Sequence, residues 1–157
     1  MSPEGPLKKL REFLGEASLH GYAVSESKDE VDGSHTLSWG KGDFKFHDNY
    51  FGGEPFGGRE TVFLKNKPFW ICTYYGYVID PKQSALAVYK FLKKSLQLVN
   101  AGFPVRGPGK FSEGNWIYEM NHQGDLKNFA GHEKIYFKGE LAYKCRFQGG
   151  FVDVWRS

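Results

Sequence analysis

The stretch FGGRETVFLKNKPFWICTYYGYVID occupies residues 56–80, and a second version of it, FAGHEKIYFKGELAYKCRFQGGFVD, occupies residues 129–153. Seven of the 25 aligned positions are identical. Average residue frequencies give roughly one or two identities by chance. The identical pairs are Phe56/Phe129, Gly58/Gly131, Glu60/Glu133, Lys65/Lys138, Cys72/Cys145, Gly76/Gly149 and Asp80/Asp153. The pattern indicates an internal duplication.

The match continues upstream when the offset is one residue shorter. Three residues of the first half then align with three of similar type in the second half, namely Gly42, Phe44 and Phe46 with Gly114, Trp116 and Tyr118. One residue has therefore been inserted in the loop between the two matching stretches.

Short apolar and aromatic segments broken by glycine follow residue 35, and this pattern is typical of strands. The predicted strands of the first half are Thr36–Trp39, Asp43–His47, Glu60–Lys65 and Phe69–Tyr77. Those of the second half are Asn115–Glu119, Glu133–Lys138 and Leu141–Gln148. Turns at Asn66-Lys67 and Gly139-Glu140 join the last two strands of each half into a hairpin.

Apolar residues at helical spacing precede each set of strands. Helix one is predicted to follow Pro6 and to end near Gly21, with apolar positions at Leu7, Leu10, Phe13, Leu14 and Ala17. Helix two is predicted to be closed by Gly102, with apolar positions at Ala85, Val88, Tyr89, Leu92, Leu96 and Val99. Between helix one and the first strand, the polar and acidic residues 25–33 predict a mobile loop.

We therefore expect an α+β fold of two pseudo-symmetric repeats, each a helix followed by an antiparallel meander. Repeat one spans about residues 7–80 and repeat two about residues 84–154, within a single domain of residues 1–157. The two meanders are predicted to form one twisted sheet with both helices on one face.

The composition excludes several classes of protein. The net charge of +3 is only mildly basic, so nucleic acid is not an expected partner. No apolar run approaches the ~20 residues that cross a bilayer, and the first residues lack the features of a secretory signal, so we expect a cytoplasmic protein without a membrane partner. Cys72 and Cys145 occupy equivalent mid-strand positions and are predicted to be reduced core residues.

Strand alternation places two acids on the buried face. Ile135 and Phe137 share a face with Glu133, and Val62 and Leu64 share one with Glu60. A carboxylate that enters a core needs a partner or a raised pKa, because burial disfavours its charged form. Each acid either pairs structurally, with backbone N–H groups of its own loop or with Arg59 or His132, or meets the other acid in a functional cleft.

The glycine-rich segment of residues 47–60 is the most distinctive in the chain. Its four glycines allow close approach of the backbone to a partner, and Tyr50, Phe51 and Phe56 supply flat apolar surface. The segment leads into a strand and lacks a Gly-Lys-Ser/Thr sequence, so a phosphate-binding loop is not favoured. A wide hairpin held by aromatic packing explains the same composition equally well.

Two further features could bind a partner. Phe69, Ile71 and Tyr75 are predicted on the face opposite the helices, either as a binding or self-association surface or covered by the acidic loop. Arg106 lies in a loop after helix two, where it could meet an anionic group or a nearby acid. The histidine and cysteine spacings do not predict a metal site, and we expect no cofactor and assign no catalytic residue.

Four motifs resemble a prokaryotic family of domains of unknown function. They are Tyr50-Phe-Gly-Gly-x-x-Phe-x-Gly-x-Glu60, Tyr74-Tyr-Gly76, Arg106-Gly-Pro108 and Phe147-x-Gly-Gly150. The resemblance runs from helix one to Asp153. It implies a domain that occurs alone or behind an Xre-type helix-turn-helix domain in transcription regulators, where such a unit often binds an effector or dimerises. Helix one has no recognition helix after it, so direct gene regulation is not expected of this chain.

The sequence favours a cytosolic, non-enzymatic, sensor-like module that binds a small aromatic or anionic molecule in a cleft between its repeats. The candidate ligand-binding residues are Tyr50, Phe51, Arg59, Glu60, Tyr75, Arg106, His132 and Glu133. One alternative is an enzyme that uses Glu60 and Glu133 as an acid–base pair. The other is a protein-interaction module, for instance a homodimer formed through the Phe69, Ile71 and Tyr75 surface.

Overall fold

The computed structural model of the chain describes residues 4–23, 27–79 and 82–154, and these contain two helices and nine strands. The helices are α1 (Glu4–Ala23) and α2 (Ala85–Leu96). The strands before α2 are β1 (Lys28–Asp29), β2 (His35–Lys41), β3 (Phe44–Gly52), β4 (Phe56–Leu64) and β5 (Lys67–Val78). The strands after α2 are β6 (Lys110–Glu113), β7 (Trp116–Asp125), β8 (Asn128–Phe137) and β9 (Glu140–Phe151).

All nine strands lie in one antiparallel sheet in the order β1-β2-β3-β4-β5-β9-β8-β7-β6. Strands β5 and β9 pair in the middle, and the earlier strands of each set follow outwards from them. The fold is therefore α+β, as the sequence predicts. Strand β6 and the second half of β7 were not predicted, because their polar residues give no apolar alternation.

The hairpin turns lie one residue earlier than predicted. Lys65 and Asn66 have φ angles of 51° and 66°, and Lys138 and Gly139 have φ angles of 50° and 80°. Two successive positive φ angles define the tight turn whose twist matches that of the flanking strands. Asn and Gly tolerate this conformation, and the lysine before each of them adopts it as well.

The residues that the two stretches share form cross-strand pairs on the inward face of the sheet. The pairs are Phe56 with Gly76, Glu60 with Cys72, Phe129 with Gly149, and Glu133 with Cys145. In both Phe–Gly pairs the ring lies over the glycine, so closely that a methyl group there would be 2.5–2.8 Å from ring carbon Cζ. The small residue is therefore required by the aromatic residue opposite it.

Helix α1 packs through Leu10, Phe13, Leu14 and Ala17, which are buried as its periodicity predicts. The Phe13 ring stacks on those of Trp39 and Phe44, each at 5.1 Å between centroids. The helix extends two residues further than Gly21, to Ala23. None of the helices formed by the described residues is long and apolar enough to cross a membrane.

Helix α2 ends at Leu96, before the predicted limit at Val99. Ser84 caps its start by accepting a hydrogen bond from the Ala87 N–H. After the helix, Asn100 Oδ1 accepts a hydrogen bond from the Gly102 N–H, a turn that competes with further helix. The Phe91 ring stacks on those of Phe111 and Trp116, at 5.4 and 5.5 Å.

The stretch predicted to be a mobile loop contains defined structure in its described part, residues 27–33. Lys28 and Asp29 pair with β2 as strand β1. Asp32 then closes a turn, because its carboxylate accepts hydrogen bonds from the N–H and the hydroxyl of Ser34. Hydrogen bonds between residues close in sequence thus order this segment in the place of apolar packing. Residues 25 and 26 of the predicted loop lie outside the described residues.

Candidate functional site

A cleft of about 410 Å³ opens between strands β3 to β5, helix α2 and the loop after α2. Its lining residues are Ser27, Leu37, Asp48, Tyr50, Gly52, Gly53, Phe56, Tyr74, Tyr89, Leu92, Lys93, Leu96 and Arg106. Three of these are buried polar side chains, Asp48, Tyr74 and Arg106, whereas the walls are mainly aromatic and aliphatic. Small-molecule sites commonly combine an apolar lining with a few buried polar groups.

Asp48 forms part of the polar floor. Along β3, alternate residues turn inward, so that Asp48 follows the buried Phe46 and precedes Tyr50. One oxygen, Oδ1, accepts a short hydrogen bond from the Tyr74 hydroxyl. Burial raises the pKa of Asp48 to about 6, although the Tyr74 hydrogen bond and the Arg106 charge act in the opposite direction. Asp48 therefore changes charge near neutral pH.

A second acid, Glu60, is the direct cross-strand partner of Asp48. Residues opposite each other in an antiparallel pair share a face, with Cβ atoms about 4.5–5.5 Å apart. Both side chains are buried. The inward position of Glu60 agrees with the alternation seen in the sequence, and it places two carboxyl groups side by side beneath the cleft.

Arg106 reaches the cleft from a buried loop. Its backbone has a φ of +63°, a conformation that non-glycine residues adopt rarely and that turns the side chain into the core. The guanidinium donates to Glu133 Oε1 from Nη2 at 2.5 Å and from Nε at 3.2 Å. Its carbon Cζ also lies 5.2 Å from the ring centroid of Tyr74, within range of a cation–π interaction.

Glu133 is fully buried, and both of its oxygens have partners. Besides Arg106, the hydroxyl of Tyr143 donates to Oε1 at 2.7 Å and that of Tyr118 donates to Oε2 at 2.5 Å. Burial raises the pKa of Glu133, but the charge of Arg106 and these hydrogen bonds outweigh it, and the pKa is lowered. The expectation that Glu133 pairs with its own loop or with His132 was wrong, because adjacent strand residues point to opposite faces.

The tip of the β3–β4 hairpin forms one wall of the cleft. The Glu54 carboxylate accepts hydrogen bonds from the Val78 N–H, at 3.1 and 2.8 Å, and from the Tyr89 hydroxyl at 2.7 Å. Burial and the neighbouring Glu54 raise the pKa of Tyr89 well above its ordinary value, so the hydroxyl remains a donor. These bonds tie the glycine-rich tip to β5 and to α2.

The structure does not bring the eight predicted ligand-binding residues together. Tyr50 and Arg106 line the cleft. Glu60 and Glu133 are buried on β4 and β8, which are three strand spacings, or about 14 Å, apart across the sheet. They are also offset by four residues along the strands, because Glu60 is level with Cys72 of β5 and Glu133 with Gly76. The other four alternate with inward residues and lie on the opposite face of the sheet, namely Phe51, Arg59, Tyr75 and His132.

The predicted apolar patch on that opposite face is smaller than expected. A shift in the β4–β5 register between Val62 and Phe63 leaves Phe69 without a direct partner on β4. Phe69 packs against Phe44 and Phe151 and is half-buried. Of the three predicted residues only Tyr75 is exposed, at 55%.

Sequence reasoning missed most of the cleft, including Asp48, Tyr74 and Tyr89. The signal for Asp48 was present, because Phe44, Phe46, Asp48 and Tyr50 alternate along one strand. The predicted strand ends at His47, one residue before the alternation reaches Asp48. Tyr89 was assigned to the core face of helix two, and its role as a cleft wall depends on the tertiary structure.

Neither the two cysteines nor the residue types that bind metals form a reactive site among the described residues. Cys72 and Cys145 are buried free thiols, and burial followed by a neighbouring glutamate raises both pKa values, that of Cys145 to about 12. Such thiols are poor nucleophiles, because the reactive form is the thiolate. Within residues 4–23, 27–79 and 82–154, no three His, Cys, Asp or Glu residues are grouped to hold a metal ion.

The fold and the cleft define a single-sheet α+β domain with a cleft whose floor is polar and buried. Residues 48–152, about two thirds of the chain, match the profile of the family described as a domain of unknown function, DUF5680. The chain belongs to this family. The matched region includes Asp48, Tyr74, Arg106 and Glu133. No curated protein and no solved structure matches the chain.

Proposed function

We propose that this protein is a non-enzymatic, sensor-like module that binds a small molecule in the cleft between the first set of strands and helix α2. The observation that carries the proposal is the buried polar floor of Asp48, Tyr74 and Arg106 beneath apolar walls. Burial of polar groups costs free energy, and the contacts of Tyr74 with Asp48 and of Arg106 with Glu133 offset part of that cost. A bound molecule with a polar head would offset more of it. The ligand we propose has a flat apolar body and a polar head.

The cleft walls suit a flat ligand. The rings of Phe56 and Tyr89 meet edge to face at 5.7 Å, and the ring of Tyr50 also lines the cleft. Aromatic side chains offer large contact areas at low cost in side-chain entropy. The volume of about 410 Å³ falls in the range of about 300–1,000 Å³ found for small-molecule sites.

A larger cavity of about 750 Å³ lies between α1 and the turns at residues 41–44 and 64–65. Its polar residues are surface groups, and the amine of Lys41 forms an ion pair with Glu16 across it at 3.0 Å. No buried charged side chain lines it. It therefore serves as a comparison for the proposed site.

The proposal predicts that part of a panel of nucleotides, aromatic metabolites and sugar acids, each at millimolar concentration, raises the melting temperature. A ligand present at 100 times its dissociation constant stabilises by about 2.7 kcal/mol, which moves the melting temperature of a domain of this size by about 5–10 °C. The measurement is a thermal-shift screen, and hits are confirmed by ligand-detected NMR.

Two matched variants locate the site of any hit. Gly53 lines the cleft and Gly5 lines the larger cavity, and a Cβ atom added at either position meets no atom within 4 Å. We expect Gly53→Phe to abolish the shift and Gly5→Phe to leave it unchanged. The reverse result, or no hit with any compound, argues against the proposed site.

A second candidate is an enzyme in which Asp48 transfers a proton, favoured by a pKa of about 6 on a carboxyl group that lines the cleft. Acid–base catalysis is most effective when the pKa of the catalytic group lies near the working pH. The NMR spectra of the same hits distinguish the two functions. Slow conversion of a hit that Asp48→Asn abolishes favours the enzyme, whereas unchanged spectra favour the binding module.

We also propose that the domain arose by duplication of a helix-and-meander unit, with both helices on one face of the sheet. The order of the strands supports this, since β5-β4-β3-β2 and β9-β8-β7-β6 follow outwards from the centre in the same sequence. Phe13 of α1 packs on Phe44, and Tyr89 of α2 packs on Phe56 and Tyr143, so each helix contacts inward-facing residues.

A further inference from the structure

One of the two carboxylate oxygens of Asp48 accepts a hydrogen bond within the protein. Its side chain is only 5% exposed, and the Tyr74 hydroxyl donates to Oδ1. Among the hydrogen bonds formed by the described residues, none reaches Oδ2. Because Asp48 lines the cleft, the second oxygen is placed to accept a hydrogen bond from a molecule inside it.

The other charged groups on the floor do not offer a free anion-binding site. Arg106 is held by Glu133 through two of its nitrogens, so its charge is largely balanced. Glu60 lies beside Asp48 and adds a further carboxyl group. Lys93 is exposed at the rim. Above a pH of about 6, Asp48 therefore carries a negative charge at the cleft, and the Arg106–Glu133 pair balances itself as a unit.

We infer that the cleft, if it binds small molecules as proposed above, selects those whose buried head is a planar hydrogen-bond donor with positive charge, such as an amidinium or a protonated aminoheterocycle. The head donates to Asp48 Oδ2, and its charge offsets that of the Asp48 carboxylate. The flat body of the molecule lies between Tyr50, Phe56 and Tyr89. Hydrogen bonds between ionised partners are about twice as strong as neutral ones.

The selectivity depends on pH through Asp48. Among the described residues, the titratable and charged groups around it are Tyr50 on its own strand, Glu60 on β4, Cys72 and Tyr74 on β5, Tyr89 and Lys93 on α2, and Arg106 after α2. Since burial raises the pKa of Asp48 to about 6, its ionised fraction rises about tenfold between pH 5 and pH 7.5. The affinity for a permanent cation rises with it.

Three probes of equal size and different head groups test the inference: benzamidine, benzoate and benzyl alcohol. Dissociation constants are measured by NMR titration at pH 5 and pH 7.5. We expect benzamidine to bind most tightly, about tenfold more tightly at pH 7.5 than at pH 5, and benzamidine remains protonated at both values. Asp48→Asn should weaken its binding at least tenfold at pH 7.5 and remove the pH dependence.

The matched control is Asp43→Asn, which removes an exposed carboxylate in the other cavity and should change nothing. Asp48→Asn keeps an acceptor for Tyr74 and buries no charge, and its fold is checked by two-dimensional NMR. Tighter binding of benzoate, binding of benzamidine that Asp48→Asn leaves unchanged, or binding of none of the probes overturns the inference. If Gly53→Phe still blocks the binding of benzoate or of a metabolite hit, the proposed function stands without it. A metabolite panel without hits, together with binding of none of the three probes, overturns both.

Discussion

Replacing Arg106 by Met should lower the free energy of unfolding by about 3–5 kcal/mol at pH 7, because the carboxylate of Glu133 then remains fully buried without its counter-charge. The hydroxyls of Tyr118 and Tyr143 still donate to it, but neither carries charge. For a domain of this length the loss corresponds to about 6–20 °C in melting temperature. Urea denaturation at pH 7 measures it.

The pH dependence identifies the cause. In the wild type the pKa of Glu133 is lowered, because the Arg106 charge and three side-chain donors outweigh the effect of burial. Its contribution to stability is therefore present at neutral pH and is lost as the pH falls. In Arg106→Met the effect of burial is the largest one left, and the pKa of Glu133 rises. Protonation of Glu133 in mild acid then removes the buried charge and stabilises the variant. We expect the difference between the two proteins to shrink as the pH falls from 7 through the mildly acidic range. It should shrink further below the ordinary glutamate pKa of about 4.3, where the wild type loses its own contribution.

Two further variants serve as controls for Arg106→Met. Lys94→Met breaks an ion pair with Glu113 that is half exposed, and it should cost less than about 1 kcal/mol. Adding Glu133→Gln to Arg106→Met removes the buried charge and should recover part of the lost stability. A loss for Arg106→Met no larger than that for Lys94→Met would show that the buried pair contributes little.

The sequence predicts the local structure of this domain better than its long-range pairing. Alternation of apolar residues locates seven of the nine strands and turns both glutamates inward, because period-two patterning reports which face is buried. The pairing of β5 with β9 in the middle of the sheet has no local signal. Arg106 and Glu133 are 27 residues apart, and their salt bridge depends on the positive φ of Arg106. The sequence Val-Arg-Gly-Pro does not predict that backbone conformation.

The candidate site was predicted only in part for a related reason. Four of the predicted ligand-binding residues have suitable chemistry, but strand parity places them on the face away from the cleft, namely Phe51, Arg59, Tyr75 and His132. Asp48 has the right parity, but it follows the point at which the predicted strand stopped. Applying parity to every residue of a strand, polar ones included, would have selected Asp48 and excluded the other four.

Replacing Gly149 by Ala should have the largest effect on folding. Gly149 faces Cys72 where β5 and β9 pair, and a Cβ atom there would lie 2.0 Å from the carbonyl oxygen of Ile71 and 2.9 Å from Cys72 Cα. The same Cβ atom would lie 2.8 Å from Phe129 Cζ. The contacts with Ile71 and Cys72 involve backbone atoms, so no side-chain rotation relieves them. We expect a loss of more than about 4 kcal/mol, or no folded protein, by urea denaturation and two-dimensional NMR.

The same substitution at two other glycines separates this contact from the general effect of replacing glycine. At Gly76 the colliding atoms belong to the Phe56 ring, at 2.5 and 2.8 Å, and to the Tyr143 hydroxyl at 3.1 Å. These side chains can shift, so Gly76→Ala should cost less than Gly149→Ala. Gly15 lies inside α1 with open space around it, and Gly15→Ala should stabilise by about 0.5–1 kcal/mol. Equal losses at Gly76 and Gly149 would mean that the central strands can separate enough to admit a methyl group, and the close β5–β9 pairing would then not be what holds the two halves of the sheet together.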